Sequence, residues 1–149
     1  MSNYFDDPMI LRQIIMDHYE YPRNHELKKQ EGYTEIHMAS ESCIDDIYVE
    51  AKIVDGIIED TGFEGTACTI ATASTSIMSD LIKGKSTSEA MQIINNYLSM
   101  IDEKEYDEDM LDELIAFKTV SKQANRIKCA TIGIKGFVQL IEESEKNHE

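Results

Sequence analysis

The sequence predicts an α+β fold: a three-stranded antiparallel sheet packed on one side by about five helices. Two observations carry this. Apolar residues alternate with period two only between Tyr33 and Asp60, while helical spacing governs the chain before and after that stretch. Asp55-Gly56 then places a two-residue hairpin turn inside the alternating stretch, which makes its strands antiparallel neighbours.

The first helix starts at Asp7-Pro8, an N-cap acceptor followed by proline at the first helical position. Leu11, Ile14, Ile15 and His18 give it an apolar face, and Pro22 ends it. Polar residues to Gly32 form a loop. The strands follow: Thr34 to Met38, then Ile47, Val49, Ala51 and Ile53 alternating with Tyr48, Glu50 and Lys52, then the stretch opened by Ile57. Cys43 falls in the connection between the first two.

After Gly65 the period returns to helical. Ile70, Ser74, Ile77, Met78 and Leu81 share a face, and Gly84 stops that helix. Ser86-Thr87-Ser88-Glu89 is a capping box for a helix carrying Met91, Ile94, Leu98 and Ile101. Asp109 is expected to cap a short helix with Leu111, Leu114 and Ile115. The last helix runs from about Ala124 to Glu143, with Ile127, Ala130, Ile134, Val138 and Ile141 on one face.

At 149 residues the chain reads as one domain, residues 1–149, long enough to bury a hydrophobic core. No apolar run approaches the roughly 20 residues of a membrane span, and the acidic start has no signal-peptide character. The expected compartment is the cytoplasm, where thiols stay reduced. The net charge of −15 repels nucleic acid and argues against a phosphate-backbone role. The acid concentrates between Ile101 and Asp109, which reads as a solvated surface, with a docking face for a basic partner as the alternative.

Cys43, Cys68 and Cys129 carry the chemistry. They lie 25 and 61 residues apart, which matches no zinc-finger spacing. A free cysteine is also often a small buried hydrophobe, so spacing alone leaves inert thiols as an open reading. Local context favours thiolates. Cys68 at a helix start faces the positive end of the macrodipole. Cys129 follows Arg126-Ile127-Lys128, whose charges are expected to hold its thiolate. In an extended segment Cys43 and Asp45 point to one face, while Asp46 points to the other. Three thiolates and one carboxylate make a complete tetrahedral ligand set. His18 on its apolar face reads as a satisfied core histidine, and Ser74, Thr75 and Ser76 as packing.

Read together, these segments resemble a family. Ile15-Met16-Asp17-His18-Tyr19 with Pro22-Arg23-Asn24 resembles the N-terminal signature of the IscU/NifU-like iron–sulfur cluster assembly proteins, and of their SufU branch in particular. Phe63 to Ser74 resembles the family's second-cysteine motif. Val120-Ser121-Lys122 with Arg126 to Thr131 resembles the third. Lys128 stands where the IscU branch has histidine, and the acidic segment around 102–120 fits the SufU insertion. Ser40 to Asp45 departs from the family's Asn-Pro-x-Cys-Gly-Asp: both ligand positions survive, but Ile44 replaces the glycine.

The resemblance implies the SufE/IscU-like fold, with Cys43, Asp45, Cys68 and Cys129 holding one zinc ion per chain. It implies that a SufS-type cysteine desulfurase, a pyridoxal-phosphate enzyme, passes persulfide sulfur to Cys43 as a histidine of that partner replaces Cys43 on the zinc. Arg126 would hold the thiolate or persulfide by charge, and a downstream assembly scaffold would take the sulfur. On this reading the chain is an accessory sulfurtransferase of the desulfurase rather than an independent enzyme. The alternative is a scaffold building a transient [2Fe–2S] cluster on the same ligands.

Overall fold

The structure is a computed structural model that describes residues 7–39 and 44–147. Cys43 and the three residues before it lie outside the described residues. Helix α1 spans Pro8–Glu20, capped by Asp7, whose carboxylate accepts the Met9 N–H at 2.9 Å. Leu11, Ile14 and His18 are its buried positions. Strands β1 (Tyr33–Ala39), β2 (Asp46–Val54) and β3 (Ile57–Thr66) form an antiparallel meander in that order. Tyr33 opposes Lys52 and Ala39 opposes Asp46, so the β1–β2 connection opens at the end of the sheet where Asp46 also meets Thr66. Asp55 and Gly56 both take left-handed φ, 52° and 78°, as a hairpin turn matched to strand twist requires.

Helix α2 (Thr69–Ile82) is buried nearly all round, between α1, β3 and α4 (Ala124–Asn147). An amphipathic helix was expected, and central position explains the difference. A helix enclosed on every side needs small residues for close approach, and its hydroxyls must find partners inside. Thr75 Oγ1 donates to the Ala71 carbonyl at 2.7 Å and Ser79 Oγ to Ser76 at 2.8 Å. Gly133 of α4 lies directly on Thr75, leaving no room for a Cβ. That contact fixes the spacing of α2 and α4. Helix α4 also crosses the inner face of β1 and β2, over Val49.

The outer face of the sheet is not simply solvated. Glu50, expected among the outward polar residues, is 1% exposed. Its two carboxylate oxygens accept the Lys28 and Lys29 N–H groups, each at 2.9 Å, clamping the segment after α1 across the strands. Asp60 similarly gathers Tyr33 Oη at 2.6 Å, Lys83 Nζ at 3.1 Å and Lys28 Nζ at 3.2 Å.

Helix α3 (Thr87–Ile101) carries the expected capping box of Ser86 and Glu89. Its buried face is Ala90, Ile93, Ile94, Tyr97, Met100 and Ile101, with Met91 and Leu98 only half-buried. The acidic segment that follows forms three short 3₁₀ turns, Glu108–Met110, Asp112–Phe117 and Val120–Lys122, rather than one short helix. Asp107 caps the first of them, where Asp109 was expected: its carboxylate accepts the Asp109 N–H at 3.0 Å. Asn96 pins Asp107 by two hydrogen bonds, of 2.6 and 2.8 Å. Leu111, Leu114, Ile115 and Phe117 run inward, and Phe117 meets Tyr97 edge-on. No helix among the described residues is long and apolar enough to cross a membrane.

Candidate metal centre

Asp45, Cys68 and Cys129 come from three separate elements. Asp45 immediately precedes β2, Cys68 is the N-cap of α2, and Cys129 lies early in α4. Their ligand atoms all fall within 4.8 Å of one another. Gly65, at φ 132°, lets β3 lie against the Asp46 carbonyl with no room for a Cβ, so the chain leaving β3 delivers Cys68 beside Asp45.

Local hydrogen bonds fix the donors. Asp45 Oδ1 accepts the Cys68 N–H at 2.8 Å, and Oδ2 lies 3.8 Å from Cys68 Sγ. The Cys68 sulfur accepts the Ala71 N–H at 3.4 Å, as an N-cap acceptor does. An S–O edge of about 3.6 Å is what tetrahedral geometry gives at ordinary zinc–sulfur and zinc–oxygen bond lengths. Two thiols and a carboxylate at these separations fit a borderline divalent cation. Cys43 is two residues from Asp45, a chain reach of about 7 Å.

The electrostatics correct one expectation. The thiol of Cys129 is pushed well above its ordinary value, by burial first and then by hydrogen bonding to Asp45 and Cys68. Arg126 and Lys128 were expected to stabilise this thiolate, but both side chains are exposed on α4. Burial and a neighbouring carboxylate outweigh cations that face solvent. A divalent cation held by Asp45, Cys68 and Cys129 would reverse that balance, because it would be the largest local charge and would favour the thiolate. Arg126 itself makes no side-chain hydrogen bond or ion pair with a described residue.

Asp46 takes a different place from Asp45. It is exposed and hydrogen-bonds His37, whose ring stacks on Tyr48 at 4.3 Å. Nothing around His37 in sequence marks this pair; only the β1–β2 register brings it together. His18 is fully engaged, with Nδ1 at 2.8 Å from Ser76 Oγ and Nε2 at 3.0 Å from Glu113 Oε1. The Arg23 N–H donates to the same Ser76 oxygen at 2.8 Å, so Ser76 ties α2 to α1 and the following loop, and His18 carries the link on to Glu113 of the acidic segment.

Comparison with known proteins agrees with this geometry. A family model described as the NifU-like N terminal domain matches residues 10–130. The chain is 36% identical over 137 residues to the zinc-dependent sulfurtransferase SufU of Bacillus subtilis (strain 168), covering 91% of this chain and 92% of that protein. It is 31% identical over 132 residues to the iron-sulfur cluster assembly scaffold protein IscU of Streptococcus pyogenes serotype M1, covering 88% and 82%. The crystal structure of a putative iron-sulfur cluster assembly scaffold protein for the SUF system from Fervidobacterium islandicum AW-1 superposes with a TM-score of 0.76 at 30% identity, over 83% of this chain and 90% of that one. The chain therefore belongs to the NifU-like N-terminal domain family, to which the SufU and IscU iron–sulfur assembly proteins are its relatives.

Proposed function

We propose that this chain is a zinc-dependent sulfur-transfer protein of iron–sulfur cluster assembly, which takes persulfide sulfur from a SufS-type cysteine desulfurase. The single observation that carries this reading is the convergence of Asp45, Cys68 and Cys129 from three elements to within 4.8 Å. Similarity to a zinc-dependent sulfurtransferase over 91% of the chain supports it. On this reading Cys43, Asp45, Cys68 and Cys129 hold one zinc per chain. Bound zinc keeps the thiols deprotonated while muting their nucleophilicity.

Cys43 is the acceptor in this scheme, as the resemblance to the SufU branch implies. Its thiolate attacks the terminal sulfur of the donor's persulfide. The donor's S–S bond breaks, the donor cysteine leaves as a thiolate, and Cys43 carries the persulfide. Asp45 is tied to the start of α2 by the Cys68 N–H. Arg126, exposed and unpaired among the described residues, supplies positive charge to the incoming anionic sulfur. The reading takes residues 1–149 as one cytoplasmic domain with an acidic insertion at about 102–120, passing sulfur to a downstream scaffold.

Likeness to IscU over 88% of the chain favours one second reading, a scaffold carrying a transient [2Fe–2S] cluster on the same ligands. Metal and sulfide analysis of the purified chain, without reconstitution, separates the two. One zinc per chain with no visible chromophore is expected, and stoichiometric iron and sulfide would overturn the zinc reading. In a desulfurase assay the zinc-loaded chain is expected to raise turnover, and Cys43→Ala to abolish the rise.

A further inference from the structure

A groove lies at the far end of α2 from the metal centre. Leu81 on its wall stands thirteen residues beyond Cys68, about 20 Å along the helix. Its volume is about 460 Å³, between the end of α2, the first turns of α3 and the 3₁₀ turns of the acidic segment. The floor is apolar: Ile93 and Ile115 are buried beneath half-buried Leu81 and Met110.

The rim is acidic. Glu89, Glu108, Asp109 and Asp112 line it against the lone base Lys85. Other acids of this region have internal work: Asp107 caps a turn, Glu89 closes the capping box, and Glu113 bonds His18. The carboxylates of Glu108, Asp109 and Asp112, in contrast, make no hydrogen bond or ion pair with a described residue. Three uncompensated carboxylates around an apolar floor complement one kind of ligand, an apolar side chain flanked by cations.

We propose that this groove docks a cationic amphipathic segment of a partner protein, with a large apolar side chain on the floor and lysine or arginine paired to Glu108, Asp109 and Asp112. The proposal does not depend on the metal centre. Because the groove lies about 20 Å from Cys68, a partner can occupy it while the thiols remain accessible. The acidic segment thereby becomes a second recognition surface rather than only a solvated one.

The test uses the full, zinc-loaded, ¹⁵N-labelled chain and a synthetic peptide of leucines spaced among lysines and arginines. A matched peptide with glutamates in place of the cations and an oligolysine of equal charge are the controls. The first peptide is expected to shift amide signals around Leu81, Ile93, Met110 and Ile115, and neither control is expected to do so. Replacing Glu108, Asp109 and Asp112 by their amides is expected to weaken binding about tenfold, at a few tenths of a kcal/mol for each exposed pair. Met110→Ala, which leaves the charges intact, is expected to weaken it as well. Shifts scattered over the surface, equal binding by oligolysine, or unchanged affinity in both variants would overturn the proposal. So would signals at this face that broaden with protein concentration alone, which would assign it to a second copy of the chain.

Discussion

Asp45 Oδ1 accepts the backbone N–H of Cys68 at 2.8 Å, tying the chain entering β2 to the first turn of α2. One carboxylate thus satisfies a helix N-terminus and presents its other oxygen toward two thiols. Asp46, one residue on, hydrogen-bonds His37 on the exposed side of the sheet. Adjacent residues of the same type therefore have separate roles.

Asp45→Ala is expected to weaken zinc retention by tenfold or more in a chelator competition, about the lower bound for a lost ligand or supporting group. It also leaves the Cys68 N–H without its acceptor. Asp46→Ala is expected to change retention little. The reverse order would refute the register that aims Asp45 at the thiols.

Acid should destabilise the fold through two carboxylates. Glu113 is held below its ordinary 4.5, first by its hydrogen bond with His18. Burial pushes Asp60 up, but hydrogen bonds from Tyr33, Lys83, Lys28 and the Thr61 N–H outweigh it and leave the carboxyl well below 3.8. A depressed folded-state pKa gives stability that is full above the unfolded value and lost as pH falls through the folded one. The losses therefore begin below about pH 4.5 for Glu113 and below about 3.8 for Asp60. Tyr33 works on the alkaline side: hydrogen bonding to Asp60 raises it to about 12, so its contribution is full below 10 and lost as pH climbs toward 12. Denaturant unfolding across pH is expected to show both limbs, with Asp60→Asn flattening each.

Phe117→Ala is expected to cost about 3–5 kcal/mol, the usual range for emptying a fully buried aromatic site. Its ring anchors the acidic segment against Tyr97, so amide exchange there should accelerate before global unfolding. Uniform acceleration across the chain would show that the segment has no separate hold.

Gly133→Ala drives a methyl group into Thr75 and must separate α2 from α4. Those helices bear Cys68 and Cys129, so stability and zinc affinity are expected to fall together, by about 1–3 kcal/mol in stability as for other overpacked sites. Thr75→Ala in the same chain is expected to recover part of both. Unfolding midpoints and chelator competition on the two variants check this.

Much of the architecture is local enough to be written in sequence. Asp7-Pro8, Asp55-Gly56 and Ser86 through Glu89 act within a few residues, so their caps and turn appear as expected. The period-two stretch likewise becomes the three-stranded meander. Helix α2 was harder, because its serines and threonines mark a helix buried nearly all round, and that burial depends on neighbours distant in sequence. The acidic segment misled for a related reason: Leu111, Leu114 and Ile115 report burial but do not distinguish a helix from successive 3₁₀ turns.

The sequence by itself determined the order of strands and helices, the candidate ligands Cys43, Asp45, Cys68 and Cys129, and the resemblance that linked them. Only the tertiary structure decided that Asp45, Cys68 and Cys129 converge, that burial raises the Cys129 thiol despite Arg126 and Lys128, and that the acidic segment builds a groove. The reason is physical. Caps, turns and periodicity depend on neighbours along the chain, whereas a ligand cluster, a burial penalty and a groove depend on which distant surfaces meet.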